Sequence, residues 1–191
     1  MADLSLGISA RHHMLADFET IVAKKFHIGI MKLCKVIGTG TLPVFIKVLP
    51  EPQSTLNQCV QNVRNKIEKH GGDIQHGWLI WEAPNVLIEG EFHAAWRSPA
   101  GALICVSPRE DGEDVLVFLP DNSRKFEGLP VLNTGISWPK SSAVDRLLEK
   151  EAAFQRFKNR HPDPRTGAAR FPKKEHDWHV REIEAARRMV R

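Results

Sequence analysis

Leu56, Val60, Val63 and Ile67 recur three or four positions apart, and this stripe is the clearest pattern in the chain. The spacing predicts an amphipathic helix running to about His70. Ser54, Thr55 or Asn57 can cap its start, and Gly71-Gly72 ends it. Beyond it the apolar positions gather into short runs over residues 77–82, 86–96, 102–107 and 115–119. Pro84-Asn85, Ser98-Pro99-Ala100-Gly101 and the acidic loop 110–114 separate them. Successive strands with short connections predict an antiparallel meander. Upstream, residues 44–49 read as a strand between Pro43 and Pro50. Residues 27–37 fit a helix or a strand, and Asp17 can cap a helix through Phe26. Downstream, residues 121–139 are rich in loop formers. Residues 141–159 form a charged amphipathic helix with Val144, Leu147, Leu148 and Phe154 inward. The stretch from His161 to Pro172 reads as a linker, and residues 177–191 as a short basic terminal helix. The expected class is α+β: a core domain over residues 1–139 and a helical extension over 140–191.

Composition narrows the setting. The chain has 191 residues, 42% apolar and 26% charged, which suits a soluble globular protein. No apolar run nears the ~18 residues that would span a bilayer, so no membrane association is expected. Residues 1–14 carry no charged start followed by an apolar stretch, so no secretory signal is expected. Cys34, Cys59 and Cys105 make an odd count without a CxxC pair, which disfavours a disulfide scaffold and suggests a reducing, cytoplasmic setting. Charge is uneven: residues 140–191 hold 14 Lys/Arg against 8 Asp/Glu, while the rest is slightly acidic. Such an extension is either a solvated helical surface or a face for an acidic partner, with nucleic acid the weaker candidate.

Cys59 lies in the first turns of the predicted helix. Free N–H groups and partial positive charge at a helix start favour the thiolate. The plainer reading is a small buried apolar side chain bordering the Val60–Val63 stripe. His93 falls within the strand Glu89-Gly90-Glu91-Phe92-His93-Ala94-Ala95-Trp96, where Glu89, Glu91 and His93 share one face. Alone it reads as a hydrogen-bonded histidine. Together, a helix-borne thiol and a strand imidazole can form a nucleophile and its base.

The order of Cys59, the strand ending His93-Ala94-Ala95-Trp96, a turn at Gly101 and the run Leu103-Ile104-Cys105-Val106-Ser107-Pro108 resembles the core of transglutaminase-like and papain-like cysteine enzymes. The resemblance covers residues 50–120. It implies a helix carrying Cys59 packed on an antiparallel sheet, Cys59 as nucleophile and His93 as base. Gln53, six positions before Cys59, takes the place of the oxyanion glutamine of papain-like enzymes. The implied activity is acyl transfer on an amide of a protein or peptide substrate, as peptidase, deamidase or transglutaminase. One position departs: where the superfamily carries an aspartate, this chain has Cys105. Ser107, Asp111, Asp114 and Glu91 are the alternative orienting groups, and Cys105 could instead react with Cys59.

Other chemistries find less support. Glu89, Glu91, His93, Cys59 and Cys105 are zinc-type ligands, but strand spacing spreads them and no HExxH or paired-cysteine motif occurs, so no metal is expected. His176 and His179 show no further ligand spacing. No phosphate loop and no Gly-x-Ser-x-Gly elbow is present, and no cofactor is implied. Trp78, Trp81 and Trp96 pack the sheet or wall a cleft, with Trp78 and Trp81 on opposite faces. The competing expectation is a non-catalytic interaction module whose basic C-terminal helices bind an acidic protein or nucleic acid.

Overall fold

The computed structural model describes residues 18–128, 130–161 and 172–190. Among them are four α-helices: α1 (Ile28–Ile37), α2 (Cys59–His70), α3 (Ser142–Asn159) and α4 (Lys173–Arg188). Six strands accompany them: β1 (Val44–Val48), β2 (Asp73–Ala83), β3 (Leu87–Arg97), β4 (Leu103–Cys105), β5 (Val115–Pro120) and β6 (Thr134–Ser137). The class is α+β, and α2 packs on the sheet.

The sheet is mixed rather than a plain antiparallel meander. β2, β3 and β4 follow one another antiparallel, as short turns require. β5 does not continue that series. It pairs antiparallel with β1 and β2, and β1 pairs parallel with β4. The order β2-β5-β1-β4-β3, with β3 returning to β2, closes the sheet into a small barrel, and β6 extends the edge of β3. Neighbouring apolar runs do not reveal closure, because it depends on which non-consecutive strands meet.

The inward side of the barrel is one apolar cluster of Ile46, Val48, Leu79, Trp81, Ala95, Cys105, Leu116 and Phe118. Gly77 on β2 leaves the space that the Phe118 ring fills. A Cβ there would lie 2.4 Å from both Leu119 O and Phe118 Cζ. Outside, α1 buries Ile30, Leu33 and Ile37 against Trp78, Ile80 and Ile88. α2 lays Val63, Val60 and Ile67 on Ala94, Trp96 and Val106. The three tryptophans thus separate, Trp81 inward and Trp78 and Trp96 outward. All three are well covered.

Local chemistry shifts several predicted boundaries. Residues 27–37 resolve as helix, started by His27, whose Nδ1 accepts from Gly29 N. Residues 18–26 form no helix; Ile21 bridges to Glu82 instead. Asp17 lies outside the described residues. None of Ser54, Thr55 and Asn57 caps α2. Asn62 reaches back from its first turns, accepting from Thr55 N and donating to Thr55 O, and so ties the preceding loop to the helix. The loop-rich stretch hides β6, whose Thr-Gly-Ile-Ser sequence lacks an apolar run.

The C-terminal helices continue the core. Ser141 caps α3, its Oγ accepting from Val144 N. Val144 and Leu148 join the barrel cluster, while Leu147 turns to Ile183 and Ala186 of α4. α4 begins at Lys173, ahead of the predicted start. Most of the proposed linker, residues 162–171, lies outside the described residues.

Candidate functional site

Strand alternation decides where the chemistry-bearing side chains go. On β3, His93 pairs in register with Gly77 and points into the barrel, whereas Ala94 faces out under α2. Cys105 on β4 also points inward and is fully buried. His93 Nε2 lies 3.3 Å from Cys105 Sγ, and this is the hydrogen bond the imidazole makes. Cys59 sits on the other side of the same strands. It packs with Val60, Val63, Ala94, Trp96 and Val106. The imidazole therefore meets the thiol of the neighbouring strand, and the half-buried helix thiol packs among apolar side chains beside the Ala94 backbone.

Electrostatics follow from this burial. Desolvation pushes the Cys59 thiol up to about 11, against a backbone hydrogen bond at Ala94 that pulls the other way. Burial also raises Cys105. It depresses His93 to about 4, only partly offset by the charge of Glu91. Both members of the His93–Cys105 pair are thus neutral near pH 7, and no thiolate–imidazolium pair forms.

Ser107 and Gln53 turn elsewhere. The Ser107 hydroxyl accepts from Asn62 Nδ2 at 3.0 Å, which fastens the end of β4 to α2. It hydrogen-bonds α2 rather than orienting His93. Gln53 Oε1 accepts from Lys69 Nζ at 3.3 Å. Lys69 is in the last turn of α2 and Cys59 is its first residue, so Gln53 stands at the far end of the helix from the proposed oxyanion. Of the other orienting candidates, Glu91 accepts from Trp81 Nε1 at 3.0 Å. Asp111 pairs with Arg109, whose guanidinium lies 4.7 Å over the Trp81 ring. Among the described residues no group of three or more His, Cys, Asp or Glu side chains is placed to hold a metal ion.

Two features lay outside the sequence reading. Asp121 is a buried acceptor hub: it takes bonds from Trp78 Nε1, Ser123 and Arg124, while Arg124 also reaches Ile37 O. Burial alone would raise its carboxyl, but bonds from Ser123, Trp78 and Arg124 hold it well below the usual range. A conspicuous Asp-x-Ser-Arg turn was the available signal. The second is Trp178 on α4, 48% exposed, with Lys150 Nζ 5.8 Å above its ring. An apolar side chain of that size in a strongly polar helix was its signal.

Comparison with protein families, curated proteins and solved structures finds no match for this chain. No helix among the described residues is long and apolar enough to cross a membrane.

Proposed function

We propose that this chain is a non-catalytic interaction module that docks an acidic protein surface on its C-terminal helix α4. The observation that carries the proposal is the outward stripe of that helix. Lys174, Trp178, Arg181 and Arg188 follow one another at helical spacing, and all are exposed. Ile183 and Ala186 on the opposite side hold the helix to α3. A rigid Trp between cations is the residue set from which binding hot spots are drawn, and the flanking charges steer an acidic partner onto it. Acyl transfer has weaker support. It needs an accessible thiolate beside its base, whereas burial raises Cys59 and the imidazole bonds a buried Cys105.

Two measurements test the proposal. The full chain should be retained on immobilised polyglutamate at low salt, and Lys174→Glu with Arg181→Glu should abolish retention. Unchanged retention of that variant would remove the α4 face from the account. Iodoacetamide should modify Cys59 at pH 7 roughly a hundredfold more slowly than a free thiol, as its raised pKa implies. Selective labelling of Cys59 faster than glutathione would restore the enzymatic reading.

A further inference from the structure

Among the described residues no helix packs mainly on β1. α1 and α2 pack chiefly on β2, β3 and β6, and α3 on β6 and α4. The outward residues of β1, Phe45 and Lys47, are exposed. Across the sheet Phe45 pairs with Val117, and Lys47 with Val115 on one side and Ile104 on the other. The segment before α1 then lays Phe26 on Phe45. The two rings stack with centroids 4.6 Å apart and planes 14° from parallel. Both stay open to solvent, Phe26 at 40% and Phe45 at 44%. Burial does not account for this stack: two large rings are held parallel at the surface, where each alone would gain more by packing inward.

The charged residues closest in sequence to the two rings are lysines, while the Glu82 carboxylate beside them pairs with His27. Lys24 and Lys25 immediately precede Phe26, and Lys47 follows Phe45 on the same strand face. All three are exposed and form no ion pair among the described residues. This contrasts with Lys66, Lys140 and Lys150, each neutralised by a carboxylate. The acids nearest in the chain are Glu19, exposed five positions before Lys24, and Glu51, four positions after Lys47 and paired with Lys66; Asp114 lies beyond Val115 at one end of the patch. Asp114 there gives its backbone carbonyl to Val48 N. The face is therefore an aromatic platform with unpaired cations along it.

We infer that this β1 face, with Phe26 and Phe45 as its platform and Lys24, Lys25 and Lys47 as its cations, binds single-stranded nucleic acid. The occupant follows from the two halves of the patch. A stacked ring pair is extended most simply by another flat ring, and three free lysines call for anions spaced along a chain. A single strand supplies both, unstacked bases and regularly placed phosphates. A duplex hides its ring faces. A second copy of this chain, joined through the same face, would set lysine against lysine. The surface is distinct from the α4 stripe and does not depend on it.

Fluorescence anisotropy decides the matter. A labelled oligothymidylate of about ten nucleotides, within the site size of small barrels, is titrated with the full chain in ~50 mM salt. Binding should saturate below about 100 μM protein, and the matching duplex should bind more weakly. Phe45→Ala and Phe45→Leu should each weaken binding at least about fivefold, the loss expected for one stacked base. Lys24→Ala with Lys25→Ala should flatten the slope of log affinity against log salt by about 1.4, or ~0.7 per phosphate contact. Three results would overturn the inference. One is no saturation by about 100 μM, at the weak end of non-specific binding. Another is equal affinity for the duplex. The third is undiminished binding by Phe45→Leu, because leucine keeps the apolar bulk and loses only the ring.

Discussion

The barrel interior and the α3–α4 hairpin handle titratable side chains in opposite ways. Inside the barrel His93 and Cys105 bond each other among Trp81, Leu79 and Phe118, and burial drives both to their neutral forms. On the hairpin, Lys150 pairs with Glu182 at 2.8 Å and Arg187 with Glu151 at 2.7 Å, around a seam of Leu147, Ile183 and Ala186. Glu182 is drawn below the ordinary carboxylate range by the bond from Lys150. Even there, Glu151 is raised, because its burial outweighs Arg187. The difference teaches that residue type does not make a reactive centre; the solvent left around it does. Burial leaves the Cys59 thiol and the His93 imidazole neutral, while Lys174, Trp178 and Arg181 stay exposed on α4.

The largest expected effect comes from removing the slack that the interior lacks. Gly77→Ala forces a methyl group against Leu119 O and the Phe118 ring, one a backbone atom and the other locked in the core. We expect a loss of about 3 kcal/mol in urea unfolding. On the exposed side of α4, Ala185→Ser should stay within about 0.5 kcal/mol. Similar losses at both positions would erase the contrast between a filled barrel and an open hairpin.

A pH titration probes the same contrast through charge. His93 has a folded pKa of about 4, below its unfolded value near 6.5, so in that window the unfolded chain binds a proton that the folded one refuses. Stability therefore rises with pH through the window and falls as pH drops through it, by about 3 kcal/mol for this group. His76 is shifted the same way by burial and by Lys125 and Arg64, and it adds to the slope. Asp121 adds its own loss at lower pH, where its bonded carboxylate is protonated. His93→Leu should be distinctly flatter between about pH 6.5 and pH 4 in denaturant melts at fixed salt. An equally steep variant would mean that the imidazole is solvated and the interior is open.

Much of this fold was legible, and the losses have physical causes. The apolar stripe of α2 and the turns at Asn85 and Gly101 marked their elements, since helical spacing and positive-φ residues are local properties. The parallel pairing of β1 with β4 and the insertion of β5 between β2 and β1 were not legible, because both join strands distant in sequence. The arrangement of the candidate site residues was hidden for a related reason. The face of β3 that carries His93 was correctly read from alternation, but which face α2 would cover depends on closure. α2 covers the Ala94 face, which separates Cys59 from His93 by the thickness of the strand. The α4 start was read late because Lys173-Lys174-Glu175 lacks apolar spacing. Contact of His176 and His179 with the Phe154 ring of α3 supports the helix next to that turn.

The smallest effect should arise where the two regions join. Ser141 caps α3, and its Oγ accepts from Val144 N at 3.4 Å, a long bond. Its own N–H donates to Ser137 Oγ at the end of β6, and that hydroxyl in turn donates to Asp145 at 2.7 Å. A cap normally contributes about 1 kcal/mol, and a long one sits at the lower end of the range. Ser141→Ala should therefore cost between about 0.5 and 1 kcal/mol, and Ser141→Asp, which keeps an acceptor and places negative charge at the helix start, should recover it. Because Val144 and Leu148 enter the barrel while Leu147 enters the hairpin, fraying this turn loosens both regions at once. Hydrogen exchange should then show lower protection of Ile46 and Phe118 amides together with those around Ile183. A response confined to the hairpin would show instead that the barrel closes without its helical plug.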